Sequence, residues 1–199
     1  MHDWIPLFSR QYRAARQGLH RILWCSAGIL RNILRRSPKL AGGYVPQPEL
    51  DEMDQRILRL LQRQGRMTNA ELSDKVHLSP SACHRRVQRL ESTGVIRDYV
   101  ALLNARAVGR VTTVFVEISL SGQADEVLDA FEKAVALVPD VLECHLMAGS
   151  ADYLLKVVAR DSEDFARIHR QHLARLPGVA QMQSSFALKT VFKTTALPV

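Results

Sequence analysis

The sequence predicts an α+β chain in two parts, a three-helix head followed by a sheet domain of order β-α-β-β-α-β. Apolar residues recur at helical spacing from Met53 to Leu90, then switch to strict alternation at Val114, Val116, Ile118 and Leu120. That is the change from a 3.6-residue to a 2-residue period that separates helix from strand. Within the head, two short helical stretches are divided only by His77 and Leu78, the close spacing of a helix-turn-helix. Beyond it, two more helical stripes interrupt the strands in the split pattern of a ferredoxin-like sandwich, four antiparallel strands with both helices on one face.

Residues 1–49 precede both parts. Leu19, Ile22, Leu23, Ile29, Leu30, Ile33 and Leu34 make an amphipathic pattern with Arg16, Arg31 and Arg35, and SPKLAGGYVPQPEL follows as a Pro and Gly linker. Three readings stand: a basic arm touching DNA or membrane, a cleaved signal, or a poorly ordered extension. No apolar run reaches the length of a membrane span.

The head is expected over residues 50–99. Its first helix, in LDEMDQRILRLLQRQGR, carries Met53, Ile57, Leu60 and Leu61 on one stripe and ends near Gly65. Thr68 and Glu71 have the spacing of a capping box for the second helix, with Leu72 and Val76 inward. Ser79 is placed to cap the third helix and Pro80 to occupy its first position, where the missing amide hydrogen costs nothing. On a helical wheel Cys83, Val87 and Leu90 fall together, and Ser81, Arg85, Gln88, Arg89 and Ser92 lie roughly opposite. Gly94 ends the helix, and VIRDYVALLN has the branched and aromatic residues of a strand or wing, with a linker strand over residues 100–110.

The sheet domain is expected over residues 111–199. After VTTVFVEISL, a helix over 124–138 places Val127, Phe131, Val135 and Val138 on one face. VLECHLM and YLLKVVA read as strands joined across AGSAD. A helix over 162–176 turns Phe165, Ile168, Leu173 and Leu176 inward and is stopped by Pro177 and Gly178, and a long strand over about 180–194 aligns Met182, Phe186, Leu188 and Phe192. Phe115, Leu154 and Val158 have the opposite parity to their strands' other apolar residues, so the outer sheet face needs a cover, which a second subunit would supply.

Charge locates the function. Residues 1–50 hold eight Lys or Arg against two acids and residues 100–199 hold ten against eleven, so the net charge of +7 belongs mainly to the N-terminal segment. Inside the head, Ser79–Arg97 concentrates four arginines against one acid, which suits a helix entering a DNA groove. Arg85 and Arg89 suit bidentate contacts to guanine edges and Arg86 a phosphate. Arginines on an amphipathic helix also serve as a plain solvated face; the capped, closely spaced helix pair favours DNA.

Enzyme chemistry finds little footing. Cys25, Cys83 and Cys144 are widely spaced without a C-x-x-C pair, which suits free thiols in a reducing cytoplasm. Cys144 and His145 are neighbours on a strand and point to opposite faces, and His169 and His172 signal no third metal ligand. The expectation is a protein that is not an enzyme and that uses no cofactor and no metal.

LDEMDQRILRLLQ, LSPSACHRRVQRLESTGVI with RDYVALLN, ECHLMAGSADYLLKV and LPGVAQMQSSFALKTVFKTTALP, in that order, resemble the leucine-responsive regulator and AsnC (Lrp/AsnC, feast/famine) family of transcription factors from Leu50 to Val199. The resemblance implies a winged or strand-flanked head that binds double-stranded DNA, a ferredoxin-like effector domain, homodimers that often assemble into octamers, and modulation by amino acids. It places Asn69, Ser79, Ser81, His84, Arg85, Arg86, Gln88 and Arg89 at the DNA. It places the effector at the turn of Gly149, Ser150, Ala151, Asp152 and Tyr153, where Asp152 could meet an ammonium group and the glycine turn could offer amides to a carboxylate. From local sequence, Asp152 equally serves to close the turn. The other functional reading is an amino-acid-sensing ferredoxin-like module without specific DNA function.

Overall fold

The computed structural model describes residues 49–199; the basic N-terminal arm and Cys25 lie outside them. These residues divide into two compact units, one of residues 104–189 and the other of residues 49–103 together with Thr190–Val199.

The head contains α1 (Glu52–Arg63), α2 (Asn69–Val76) and α3 (Pro80–Ser92). Each begins on a side chain that satisfies amides the helix cannot bond itself. Asp51 and Asp54 form a reciprocal capping box on α1, as Thr68 and Glu71 do on α2. The Ser79 hydroxyl accepts from Ala82 N–H at 3.3 Å, with Pro80 next to it inside α3. His77 closes α2 in the left-handed region at φ 57°, and Leu78 N–H then reaches the Ser73 carbonyl at 3.0 Å. The two-residue turn is thereby sharp enough to bring α2 against α3.

Ile57, Leu58, Leu72, Val76, Cys83 and Leu90 are the buried centre of the head, with Met53, Leu60, Leu61 and Val87 packed partly buried around them. Leu58, outside the expected stripe, is buried in place of its neighbours. Burial raises the Cys83 thiol pKa, as expected of a core thiol.

The stretch expected to continue as a strand does not become one. Residues 97–104 form no ladder, and 105–109 make a turn. A strand needs a partner for its amides and carbonyls, and no described segment pairs there. Val100, Leu102 and Leu103 are left exposed.

The second unit has β1 (Thr112–Leu120), α4 (Asp125–Val135), β2 (Val141–Leu146), β3 (Tyr153–Ala159), α5 (Ser162–Gln171), a 3₁₀ turn (Leu173–Arg175) and β4 (Val179–Phe186). The sheet is antiparallel in the order β2-β3-β1-β4. Val114, Val116, Ile118 and Leu120 join Leu155 and Val157 with Phe131, Val135, Phe165 and Ile168 in one core, so both helices cover the same sheet face. Glu117 lies opposite Leu154 and Phe115 opposite Lys156 on the uncovered face. Arg110, at the entrance to β1, reaches Asp140 at 3.0 Å and Asp164 at 3.3 Å.

Three boundaries differ from expectation, each for a local reason. α4 stops at Val135 and the chain turns through Ala136 and Leu137 ahead of Pro139; α5 stops at Gln171, where His172 leaves helical geometry at φ −120°, ψ −64°, and Leu173–Arg175 follow as a 3₁₀ turn up to Leu176, extended at φ −64°, ψ 135° before Pro177. β4 ends at Phe186, which faces Val114 near the beginning of β1, so the strand runs out of partner. The rest of the expected strand belongs with the head, where Leu197 exchanges two hydrogen bonds with the Gln62 side chain.

Gly178 leads into β4 at φ 74°, and a Cβ there would stand 2.7 Å from Val127 Cγ1. Gly178→Ala should therefore destabilise this unit by about 2 kcal/mol or more, combining left-handed strain with overpacking; a lowered denaturant midpoint at constant slope would show it, and an unchanged midpoint would refute it.

Candidate DNA-reading helix and ligand turn

α3 buries Cys83 and Leu90 and turns Ser81, His84, Arg85, Gln88 and Arg89 to solvent. These residues share one face because positions three, four and seven apart lie together on a helix. His84, Arg85 and Gln88 make no side-chain hydrogen bond to any described residue, whereas the other expected contacts have partners within the head. Asn69 donates from Nδ2 to the Pro80 carbonyl at 2.9 Å, bracing α2 against the start of α3. Ser79 serves as the cap, and its hydroxyl lies 3.3 Å from that of Ser81.

Arg86 and Arg89 are also engaged. Arg86 Nη1 donates to Asp51 Oδ2 at 2.6 Å and to Asp54 Oδ1 at 2.9 Å, and Arg89 Nη2 donates to Asp54 Oδ2. Asp54 is 0% exposed, against 50% for the Arg89 side chain. The expected free fork of Arg89 and the expected phosphate-facing Arg86 are thus tied to α1. The spacing of Asp51 and Asp54 already suited a capping box. Their arginine partners, 32 to 35 residues away, leave no periodic signal.

In the sheet unit, Gly149 and Ser150 are exposed, and a Cβ on Gly149 would meet nothing within 4 Å. Asp152 is only 9% exposed. Its Oδ2 accepts from Leu120 N–H at 2.8 Å and its Oδ1 from Gln123 Nε2 at 3.0 Å. The carboxylate that the sequence offers to an ammonium group is therefore engaged by the protein, stitching the turn to the end of β1. Tyr153 is buried as well, its hydroxyl donating to Glu132 Oε1 at 2.7 Å and its ring 4.6 Å from Phe131. Gln123 and Glu132 went unnoticed in the sequence because both lie far along the chain from the turn.

Cys144 registers with buried Leu155 and His145 with Leu154, so the two point to opposite sheet faces and form no nucleophile–base pair. Among the described residues no group of three or more His, Cys, Asp or Glu could hold a metal ion, and no helix is long and apolar enough to cross a membrane.

Residues 50–97 match the family described as winged helix-turn-helix DNA-binding, and residues 113–197 match the Lrp/AsnC ligand binding domain. The leucine-responsive regulatory protein of Escherichia coli (strain K12) is 40% identical over 152 residues, 76% of this chain and 93% of that protein. The chain belongs to the Lrp/AsnC family. Among solved structures, a transcriptional regulator of Neisseria meningitidis in complex with L-Met is 40% identical, covering 75% of this chain and 97% of its own at a TM-score of 0.72. An AsnC family transcriptional regulator of Agrobacterium tumefaciens is 38% identical, covering 74% and 96% at 0.72. This Lrp/AsnC chain is therefore a DNA-binding transcriptional regulator carrying a ligand-binding domain, and the reading without DNA function has no support.

The capping box has a pH signature. The Asp54 amide, followed by the Arg86 guanidinium, holds the Asp51 carboxyl at about 2, below the roughly 3.9 of an unfolded chain. Because the folded value is the lower one, the stabilisation is complete above about pH 4 and fades as pH falls toward 2. Amide-exchange protection factors at α1, taken relative to the unfolded chain at the same pH, should fall across that window. Asp51→Asn, which keeps a capping side chain but cannot titrate, should flatten the dependence; an equal dependence in the variant would assign it elsewhere.

Proposed function

We propose that this regulator binds double-stranded DNA as a homodimer, each α3 entering a major groove with Ser81, His84, Arg85 and Gln88 toward base edges. The observation that carries the assignment is that His84, Arg85 and Gln88 are exposed on one helical face with no described side-chain partner. A helix so placed presents polar side chains to base edges while its opposite face holds the core. Phe115, Leu154 and Val158 on the uncovered sheet face support pairing with a second copy, and dimers would associate further, up to an octamer. Paired heads would read half-sites about 10 bp apart or a multiple of that. The site of action is the cytoplasm, where the DNA lies.

The effector is an amino acid bound at the Gly149–Tyr153 turn. The Neisseria meningitidis relative was solved with L-Met, and methionine is the first candidate. The exposed Gly149 and Ser150 offer backbone amides to the ligand's carboxylate, and Asp152 holds the turn in shape through Leu120 and Gln123. Ligand at this turn would shift the assembly equilibrium and with it the number of sites engaged at once.

Arg85→Ala should weaken binding to a selected duplex by about 1–3 kcal/mol and relax preference at one base position; an unchanged motif in a gel-shift series would remove α3 as the reader. Asp152→Ala should leave DNA binding in place and abolish the shift in binding that methionine produces, because the turn loses its side-chain hydrogen bonds to Leu120 and Gln123. A variant that responds to methionine as the parent does would move the ligand site away from this turn.

A further inference from the structure

The head carries four arginines between Ser79 and Arg97, yet its positive surface is much smaller than that number implies. Arg86 faces both Asp51 and Asp54, and Arg89 faces Asp54. Two carboxylates therefore oppose two guanidinium groups across the α1–α3 contact. Glu91, the one acid on α3, accepts from the Tyr99 hydroxyl at 3.0 Å. Arg85 is the arginine of α3 that makes no ion pair to a described residue.

We infer that Asp51 and Asp54 determine which arginines of α3 read DNA, holding Arg86 and Arg89 on the protein and leaving Arg85 to address base edges. The inference rests on α3 being the reading helix and adds a selection among its side chains. A bidentate guanine contact needs the donor fork of the guanidinium group, and Arg89 gives one arm of that fork to a carboxylate with no exposure to water. Rotating Arg89 into the groove would take a partner from a buried charge, which is strongly disfavoured. Arg86 is pinned on two sides by contacts of 2.6 and 2.9 Å, and its side chain is 31% exposed. Asp51 and Asp54 are positioning residues: they touch no DNA, and they act by fixing the two arginines and the rotation of α3 against α1.

The experiment uses the full chain and a duplex selected by it from a random-sequence library, with affinity measured across a salt series. Asp54→Asn/Arg89→Gln replaces the ion pair by a neutral amide pair of similar shape, so neither partner is left charged and buried. The expected result is the same selected motif, a Kd within about threefold and a salt slope that does not fall, since a sequestered arginine releases no counterion. Asp51→Asn combined with Asp54→Asn keeps amide side chains at the cap while removing both charges that hold Arg86 and Arg89; the slope of log K against log salt should steepen by about 0.9 per released arginine as it gains a phosphate. Thermal unfolding of each variant is followed in parallel, because a purely structural role would move the melting temperature and leave the salt slope alone.

An Asp54→Asn/Arg89→Gln variant that loses preference at one base position, or whose slope falls by about 0.9 per subunit, would overturn the inference for Arg89. An unsteepened slope when both carboxylates are neutralised would overturn it for Arg86. Arg85→Gln separates the two levels: if it too leaves the motif unchanged, α3 is not the reader and the assignment beneath fails. If it alters the motif while Asp54→Asn/Arg89→Gln also does, only the sequestration is wrong.

Discussion

The buried carboxylate of Asp54 is the interaction on which the head depends. It caps α1 by accepting from the Asp51 amide at 3.2 Å, and it accepts from Arg86 and Arg89 on α3. A charge with no exposure to water is tolerable only when its hydrogen-bonding capacity is met, and breaking such a pair from one side costs about 3–5 kcal/mol. The half-exposed Arg89 and Arg86 retain some solvent, which places the true figure toward the lower end. Even so, the penalty rivals the burial of a leucine side chain, and unlike leucine it is directional. Packing of Ile57, Leu72, Val76 and Leu90 brings the helices together; Asp54 chooses the rotation at which α3 presents Arg85.

The sheet domain uses aspartates in the same way. Asp164 accepts from the Arg160 amide at 3.0 Å and from the guanidinium groups of Arg110, Arg160 and Arg167; the Arg160 amide, followed by the Arg160 and Arg167 guanidinium groups, holds its carboxyl far below the usual range. Asp152 joins its turn to Leu120 and Gln123. Arg110 lies at the end of the connector from the head, so its grip on Asp140 and Asp164 fixes where the sheet domain begins. Aspartate suits these junctions because its short side chain carries two acceptor oxygens close to the backbone, where amides of neighbouring loops and forked guanidinium donors can reach them. Asp152, the side chain of the Gly149–Tyr153 turn that looks most reactive in the sequence, is thus part of the turn's framework.

What was legible in the sequence followed short-range rules. The Thr68–Glu71 box, the Ser79–Pro80 start, the two-residue turn and the alternation of β1 all arise from spacing within a few residues, and each is present. The helix and strand ends that differed were set by the turn before Pro139, by the break at His172 and by the length of β1 as a partner for β4, constraints that periodicity does not register. The partners of Arg86, Arg89 and Asp152 were not legible for another reason. A charged side chain at a reading face looks alike whether it meets a ligand or a buried partner, and Asp51, Asp54, Leu120 and Gln123 become neighbours only after folding. Of the DNA face, its position on α3 could be read; which arginine remains open could not.

The most direct measurement is the NMR of arginine guanidinium Nη–H groups in the full chain, free and bound to its selected duplex. Arg85 is expected to shift and become protected on DNA binding, while Arg86 and Arg89 are protected already in the free protein and change little. Large shifts of Arg89 with Arg85 unmoved would contradict a head in which Asp54 decides what the reading helix presents.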